Sequence, residues 1–566
     1  MSESVLLNRI SHVKGCRTEP IWNKTIPEFL KEVADDYGNN PALVFPGRVN
    51  WNYNKLNEEV DQLAAGLVKL GINKGDRVGI WSPNKPEWVV LQLATARIGA
   101  ILVTINPAYR PIELEHVLVK AGIKALFSAT SFKNSDYLGM LRSLIPEIDK
   151  GNSSELTSPK FPTLQNIIKI GGSSDSQIMD YQDVKNLGSN VSTKELDRIS
   201  AQLKPGNSIN IQFTSGTTGA PKGATLSHRN IINNARFVTD TIQLDQNDKL
   251  CLPVPLYHCF GMVMGVLGCI TKGACIVLPD ESFCPKATLE AISELRCTGL
   301  YSVPTMFISM LDLLASYPLN IQSLRTGIMA GAPCPIEVMR RVTSDMHMSQ
   351  VTIAYGMTET SPVSFQSHVD DPLEKRVTTV GRIHPHAEVK IIDEEGCIVP
   401  VGSQGEICTR GYLVMKEYWE DEQATKSSID SDGWMHTGDL GILDQVGYCT
   451  ITGRLNDMII RGGENIYPKE VEDFLFLHPQ VKDVQVFGVP DEQLGEEVCA
   501  WVILKTDEHC DESMLQQFCQ GKIAHYKIPK YFRFKSEFPM TVTGKPQKFL
   551  MRASMLKELD FKSNKL

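Results

Sequence analysis

The sequence lacks any clean apolar run long enough to span a membrane. The best stretch, residues 251–279, is interrupted by His258, Lys272, prolines and glycines, so it reads as a buried core segment. An excess of basic charge is missing as well: 57 Lys plus Arg stand against 66 Asp plus Glu, a net charge of −9. That balance disfavours a nucleic-acid binder built on a broad basic surface. The 14 cysteines show no short regular spacing, which argues against a zinc ribbon or disulfide framework and for free thiols in a reducing compartment. No repeat of 20–50 residues is present. The short apolar stretch at the N-terminus is broken by Asn8 and Arg9, so it does not read as a secretory signal.

What the sequence does have is length and alternation. Its 566 residues allow a large core spread over about three to five domains or subdomains. Apolar spacing predicts helices over 26–37, 56–70 and 87–98, and strands over 77–81, 101–107 and 124–130. This alternation predicts α/β layers with helices covering a largely parallel sheet. Residues 151–208 are polar and Ser-rich, with apolar islands such as NIIKI at 166–170, and read as surface excursions. The α/β pattern resumes from 209 to about 380. A β-rich subdomain is expected over about 381–452 and a domain boundary in the charged RLND segment, giving domains of 1–455 and 456–566. The last hundred residues read as a compact α+β unit: helix 468–477, strands 481–489 and 496–504, helix 511–523 and strand 531–535.

The strongest local signal is IQFTSGTTGAPKGATLSH at 211–228. An apolar strand runs into Thr214, Ser215, Gly216, Thr217, Thr218 and Gly219, followed by Lys222. Small hydroxyl residues between glycines let backbone N–H and side-chain O–H groups converge on an anion, and the lysine adds a point charge. The order matches neither the nucleoside-triphosphatase loop nor the dinucleotide fingerprint. In YGMTET, 355–360, an aromatic ring followed by glycine can lie against a nucleobase, and Glu359 offers a hard oxygen to Mg²⁺. Taken alone, Glu359 reads as a solvated surface acid. AGAP at 330–333 reads by itself as a tight turn. His258, in PLYHCFG, reads by itself as a core histidine. Lys545, in PMTVTGKPQK, can reach a carboxylate oxygen and a phosphate together if its segment moves.

These segments resemble the signatures of the adenylate-forming, or AMP-binding, superfamily. The similarity continues through 437–439, 452–468 and 541–548 and so covers essentially the whole chain, with the medium-chain acyl-CoA ligases the most similar branch. The resemblance implies two N-terminal α/β subdomains, a β-rich subdomain and a small mobile C-terminal α+β domain. It implies ATP, Mg²⁺ and coenzyme A, and activation of a small-molecule carboxylate to an acyl-adenylate and then to acyl-CoA. Thr214, Ser215, Gly216, Thr217, Thr218, Gly219 and Lys222 are implied to surround the phosphates, with Thr217 and Glu359 at the metal. Gly331, Ala332, Pro333, Tyr355, Gly356 and Thr360 are implied to line the nucleotide, Tyr355 stacking on adenine. Asp439 is implied to hold the ribose hydroxyls and Arg454 to sit near ribose and phosphate.

Lys545 is implied as the adenylation lysine, here followed by Pro546 where relatives carry Ile. Gly462 and Gly463 are implied beside the pantetheine, with Asn456 as hinge. His258, Cys259, Met262, Tyr301 and Pro304 are expected to wall the acyl pocket. Luciferase-like oxidation, aromatic-acid activation and carrier-protein loading share the adenylation motifs and stay open as alternatives. A homodimer is a further expectation. The resemblance implies a mitochondrial location, with cytoplasm or peroxisome as alternatives.

Overall fold

The computed structural model of the protein describes residues 5–6, 10–150, 156–173, 175–214, 221–332, 334–462, 464–491, 493–505, 508–541 and 545–563. The chain divides into two compact units, one of Lys14–Glu388 with Arg410–Met435 and the other of Val5–Val13, Val389–Thr409 and His436–Leu566.

Two large sheets make up the first unit. In the eight-stranded sheet the order is Met179–Asp180, Asn166–Ile170, Ala125–Ala129, Arg77–Trp81, Ile101–Ile105, Ser208–Thr214, Lys222–Ser227 and Glu417–Tyr418. Its strands run parallel up to Ser208–Thr214 and antiparallel beyond it. The nine-stranded sheet has a parallel centre, including Gly299–Ser302, Thr326–Ala330 and Gln350–Gly356, with antiparallel strands at both edges. Parallel strands covered on both faces need continuous apolar stretches, and Ile101–Ile105, Ala125–Ala129 and Thr326–Ala330 are buried at every position.

Helix Ile26–Tyr37 matches its sequence reading at both ends. Glu28 reaches back to the Thr25 backbone N–H at 2.7 Å, and Pro27 fits the first turn, where its missing N–H costs nothing. Residues 166–170 correct the reading of that region as surface excursion. Asn166–Ile170 is a fully buried strand paired in parallel with Ala125–Ala129, its apolar run hidden in the sequence by polar flanks. The apolar stretch after residue 251 is core as expected: Phe260–Leu267 forms a buried π-helical segment that continues into the helix Gly268–Lys272. Among the described residues no helix is long and apolar enough to cross a membrane. All 14 cysteines are free and most are buried.

The second unit holds a six-stranded sheet containing Gln404–Gly411, Met435–Leu443 and Cys449–Arg454, and a five-stranded sheet centred on Gly495–Leu504. Val481–Asp491 pairs antiparallel with Gly495–Leu504, and Tyr531–Phe534 pairs parallel with it. Helix Pro468–Leu475 and helix Glu512–Cys519 accompany this sheet, giving the expected α+β composition. The second helix stops short of the expected 523, because Gln520 is extended and Gly521 lies at φ +70°.

Candidate active site

In open α/β sheets ligands gather beyond the carboxyl ends of the parallel strands. The first unit places its expected site residues there. Thr326–Ala330 and Gln350–Gly356 are parallel neighbours with Ala330 opposite Ala354, so Gly331 and Tyr355 emerge side by side. Gly331 adopts φ +89°, which glycine alone accepts without strain. At Gly356 a Cβ would stand 1.8 Å from the Pro362 carbonyl oxygen, so no side chain fits. The Tyr355 ring is half-buried, 6.0 Å from Phe365. Thr360 is fully buried, and its hydroxyl is spent on the turn, 2.9 Å from the Pro362 carbonyl.

Glu359 lies in the short helical turn Thr358–Thr360 and is only 5% exposed. Its Oε1 accepts from the Tyr418 hydroxyl at 2.8 Å, and the Thr214 hydroxyl lies 3.5 Å away. Burial first, and the Glu359 carboxylate second, push the Tyr418 phenol far above its ordinary range, so this hydroxyl stays a donor. Lys222 Nζ rests over the Tyr418 ring at 5.2 Å. Thr214, Lys222, Tyr418 and Glu359 thus form one cluster, carried by the hairpin Ser208–Thr214 and Lys222–Ser227 and the adjoining edge strand Glu417–Tyr418. Tyr418 had no local signal in the sequence, since it stands far from every recognised motif. Ser215, Gly216, Thr217, Thr218, Gly219 and Pro333 lie outside the described residues.

His258 is half-buried, and its Nδ1 accepts the Phe260 backbone N–H at 3.1 Å, which places the proton of the neutral ring on Nε2. Beside it Cys259 is fully buried, its thiol donating to Gln212 Oε1 at 3.0 Å. Burial pushes that thiol well above the ordinary range, so it is a packing group and not a nucleophile. Phe260 stacks on Tyr301 at 5.5 Å, and Met262 and Pro304 are buried, giving the mainly apolar surroundings expected of an acyl wall.

In the second unit, Asp439 and Arg454 face each other across the antiparallel pair Met435–Leu443 and Cys449–Arg454. Arg454 Nε donates to Asp439 Oδ1 at 2.8 Å, the acid buried and the guanidinium half exposed. The next turn, Leu455–Asp457, contains Asn456, whose side chain lies outside the described residues. Gly462 adopts φ +60° and donates its N–H to the Leu494 carbonyl at 2.8 Å, while Gly463 lies outside the described residues. Arg461, just before it, forms a bidentate pair with the buried Glu497 at 2.7 and 3.0 Å. Lys545 is exposed, its segment closed by the Lys545 N–H donating to Thr541 Oγ1 at 2.9 Å and the Thr541 N–H donating to the Lys545 carbonyl at 2.8 Å. Pro546 is accommodated at an isolated antiparallel bridge with Met540.

Among the described residues, the Glu359 cluster offers a carboxylate and two hydroxyls as oxygen ligands beside the Lys222 ammonium, a set that suits a hard divalent cation such as Mg²⁺. Phosphate-binding residue types at a hairpin, a ring beside a glycine at a strand end and a buried acid together can hold a nucleotide and its charge.

Comparison with known proteins bears on the same segments. Residues 30–419 match the AMP-binding enzyme family and residues 470–545 the AMP-binding enzyme C-terminal domain. The chain is 43% identical to "Medium-chain acyl-CoA ligase ACSF2, mitochondrial" of Danio rerio, covering 97% of this chain and 91% of that one. It is 45% identical to YngI of Bacillus subtilis, whose name proposes an acyl-CoA synthetase, over 96% of this chain and 99% of that one. Among solved structures, ATP-bound MatB from Rhodopseudomonas palustris superposes with a TM-score of 0.81 at 27% identity, covering 94% of this chain and 99% of that one. With the hairpin of Thr214 and Lys222 inside the first matched region and Lys545 closing the second, the chain belongs to the AMP-binding enzyme family.

Proposed function

We propose that this enzyme activates a medium-chain fatty acid with ATP and transfers the acyl group to coenzyme A. The observation that carries the reading is the buried Glu359, held by Tyr418 beside the Thr214–Lys222 hairpin at the carboxyl ends of the sheet. Names of full-length relatives above 40% identity supply the acyl class.

In the first half-reaction a carboxylate oxygen of the fatty acid attacks the α-phosphorus of ATP. The bond from that phosphorus to the bridging oxygen breaks, pyrophosphate leaves with the electron pair, and acyl-adenylate forms. Thr214, Ser215, Thr217, Thr218 and Lys222 bind the phosphates, and Tyr355 with Gly331 and Ala332 orients the adenine. Asp439 accepts from the ribose hydroxyls. Glu359 and Thr217 would hold Mg²⁺, which when bound offsets phosphate charge. Lys545 lies against the reacting oxygens and stabilises the charge that builds between carboxylate and α-phosphate. His258 lines the passage between acyl pocket and nucleotide and abstracts no proton, since a fatty acid is already ionised at neutral pH.

In the second half-reaction the C-terminal domain, from Asn456 onward, turns and replaces Lys545 with the loop of Gly462 and Gly463. The coenzyme A sulfur, as thiolate after losing its proton to solvent, attacks the acyl carbonyl carbon, the bond to the AMP oxygen breaks, and AMP leaves. A mitochondrial location fits the names of the vertebrate relatives.

The test is AMP and acyl-CoA formation across saturated acids of two to eighteen carbons, with benzoate and coumarate, beside Lys545→Ala. Expected is a maximum at about six to twelve carbons, set by a pocket that weighs each methylene at about 1–3 kcal/mol. Lys545→Ala is expected to lose about 10²–10³-fold in adenylate formation. Adenylate without transfer to coenzyme A overturns the ligase reading.

A further inference from the structure

We propose that Glu406, Cys408 and His436 form a binding site for a thiophilic divalent cation of the zinc class. Glu406 and Cys408 stand two residues apart in strand Gln404–Gly411 and therefore share a face, and His436 comes from the hydrogen-bonded neighbour Met435–Leu443. One donor atom from each lies within 4.8 Å of the others. His436 Nδ1 stands 2.9 Å from Glu406 Oε2 and 3.6 Å from Cys408 Sγ.

Zinc bond lengths in a tetrahedral site imply a nitrogen-to-sulfur edge of about 3.6 Å and a nitrogen-to-oxygen edge of about 3.4 Å. The first edge is already in place, and the second needs the carboxylate to withdraw by about 0.5 Å, a small rotation of a Glu side chain. One nitrogen, one sulfur and one oxygen make a borderline-soft set that selects zinc over magnesium. Cys408 is fully buried, while the side chains of Glu406 and His436 keep 17% and 32% exposure. The open side admits the ion and leaves a fourth position for water. Binding releases the Cys408 thiol proton to solvent and leaves the imidazole neutral, its proton on Nε2. Sequence spacing could not reveal this site, because two residues of one strand and a histidine 28 positions on, in its neighbour, form no compact Cys/His motif.

The site touches the strand segment that precedes Asp439. Glu406 Oε1 accepts the Gly438 N–H at 3.0 Å, and the Thr437 hydroxyl donates to the Ile407 carbonyl at 2.7 Å. A cation on Oε2 therefore shares a ligand with the segment that aims Asp439. That coupling rests on the ribose role proposed for Asp439, whereas cation binding does not.

The experiment titrates the metal-stripped full chain with Co²⁺ alone and reads thiolate-to-cobalt charge-transfer absorption, then displaces Co²⁺ with Zn²⁺. Expected is one equivalent bound with that band, its loss in Cys408→Ser, and at least about tenfold weaker binding in His436→Gln. Thermal unfolding of each stripped variant verifies that it is folded, and His436→Gln serves if Cys408→Ser does not fold. No charge-transfer band in the wild type, or a band unchanged in the folded variants, overturns the proposal and leaves a hydrogen-bonded Glu–His pair. Adenylate formation by the stripped wild type reports separately on the proposed function.

Discussion

Tyr418 gives its one phenolic proton to Glu359, and its ring carries the Lys222 ammonium. Phenylalanine at this position keeps the ring and removes the donor. A hydrogen bond to a charged group contributes about 1.5–3 kcal/mol, so Tyr418→Phe is expected to lower kcat/KM for ATP by about 10- to 100-fold. The Mg²⁺ dependence should weaken in parallel; unchanged kinetics would remove Tyr418 from the site. Motif order in the sequence singled out Thr214, Lys222 and Glu359, which the fold brings together, and Asp439 and Arg454, which pair across two strands. It could not identify Tyr418, because that residue meets its partner only through the fold, 59 residues away in the sequence.

The strand Ile459–Arg461 and the turn at Gly462 are tied to strand Gly495–Leu504 through Arg461 and Glu497. Glu497 is 2% exposed and also faces Lys530 at 3.5 Å, so one buried acid anchors the base of the proposed pantetheine loop. Glu497→Gln keeps shape and loses the charge-assisted pairing. We expect acyl transfer to coenzyme A to slow by about tenfold, with KM for coenzyme A raised, while ATP–pyrophosphate exchange stays within twofold of wild type. Equal losses in both half-reactions would contradict this assignment.

At this scale legibility followed local signals. Helix Ile26–Tyr37 was readable at both ends because its cap lies in its own sequence. Strand Asn166–Ile170 was misread because burial comes from a partner strand more than 35 positions away, not from its Ser-rich surroundings. The shortened helix Glu512–Cys519 shows that apolar spacing marks the buried face but not the last turn.

Stability of the first unit is tied to pH through two buried imidazoles. His228 and His384 are pushed down from 6.5 to about 3 by burial. His228 Nδ1 accepts the Ile26 N–H at 3.2 Å, and His384 Nε2 lies 3.0 Å from Gln366 Oε1. Below pH 6.5 the unfolded chain takes up protons that the folded chain refuses until about 3. Stability is therefore complete above that window and is lost as pH falls through it, by up to about 1.4 kcal/mol per pH unit for each histidine. Urea midpoints measured from pH 8 to pH 5 should decline below about 6.5, and a flat profile would contradict the burial argument.

The register of the nine-stranded sheet also sets a timetable for synthesis. Strand Pro41–Phe45 lies parallel to Cys275–Val277, with Leu43 beside Ile276. At about 5–20 residues per second a ribosome delivers the second strand on the order of ten seconds or more after the first. During that interval the fully buried apolar positions Ala42 and Leu43 have only the neighbouring strand Val49–Asn52 to pair with, and the other edge of their strand stays open. The nascent chain thus carries an apolar two-stranded edge whose second neighbour arrives only when the middle of the chain has emerged, so this part of the sheet closes late.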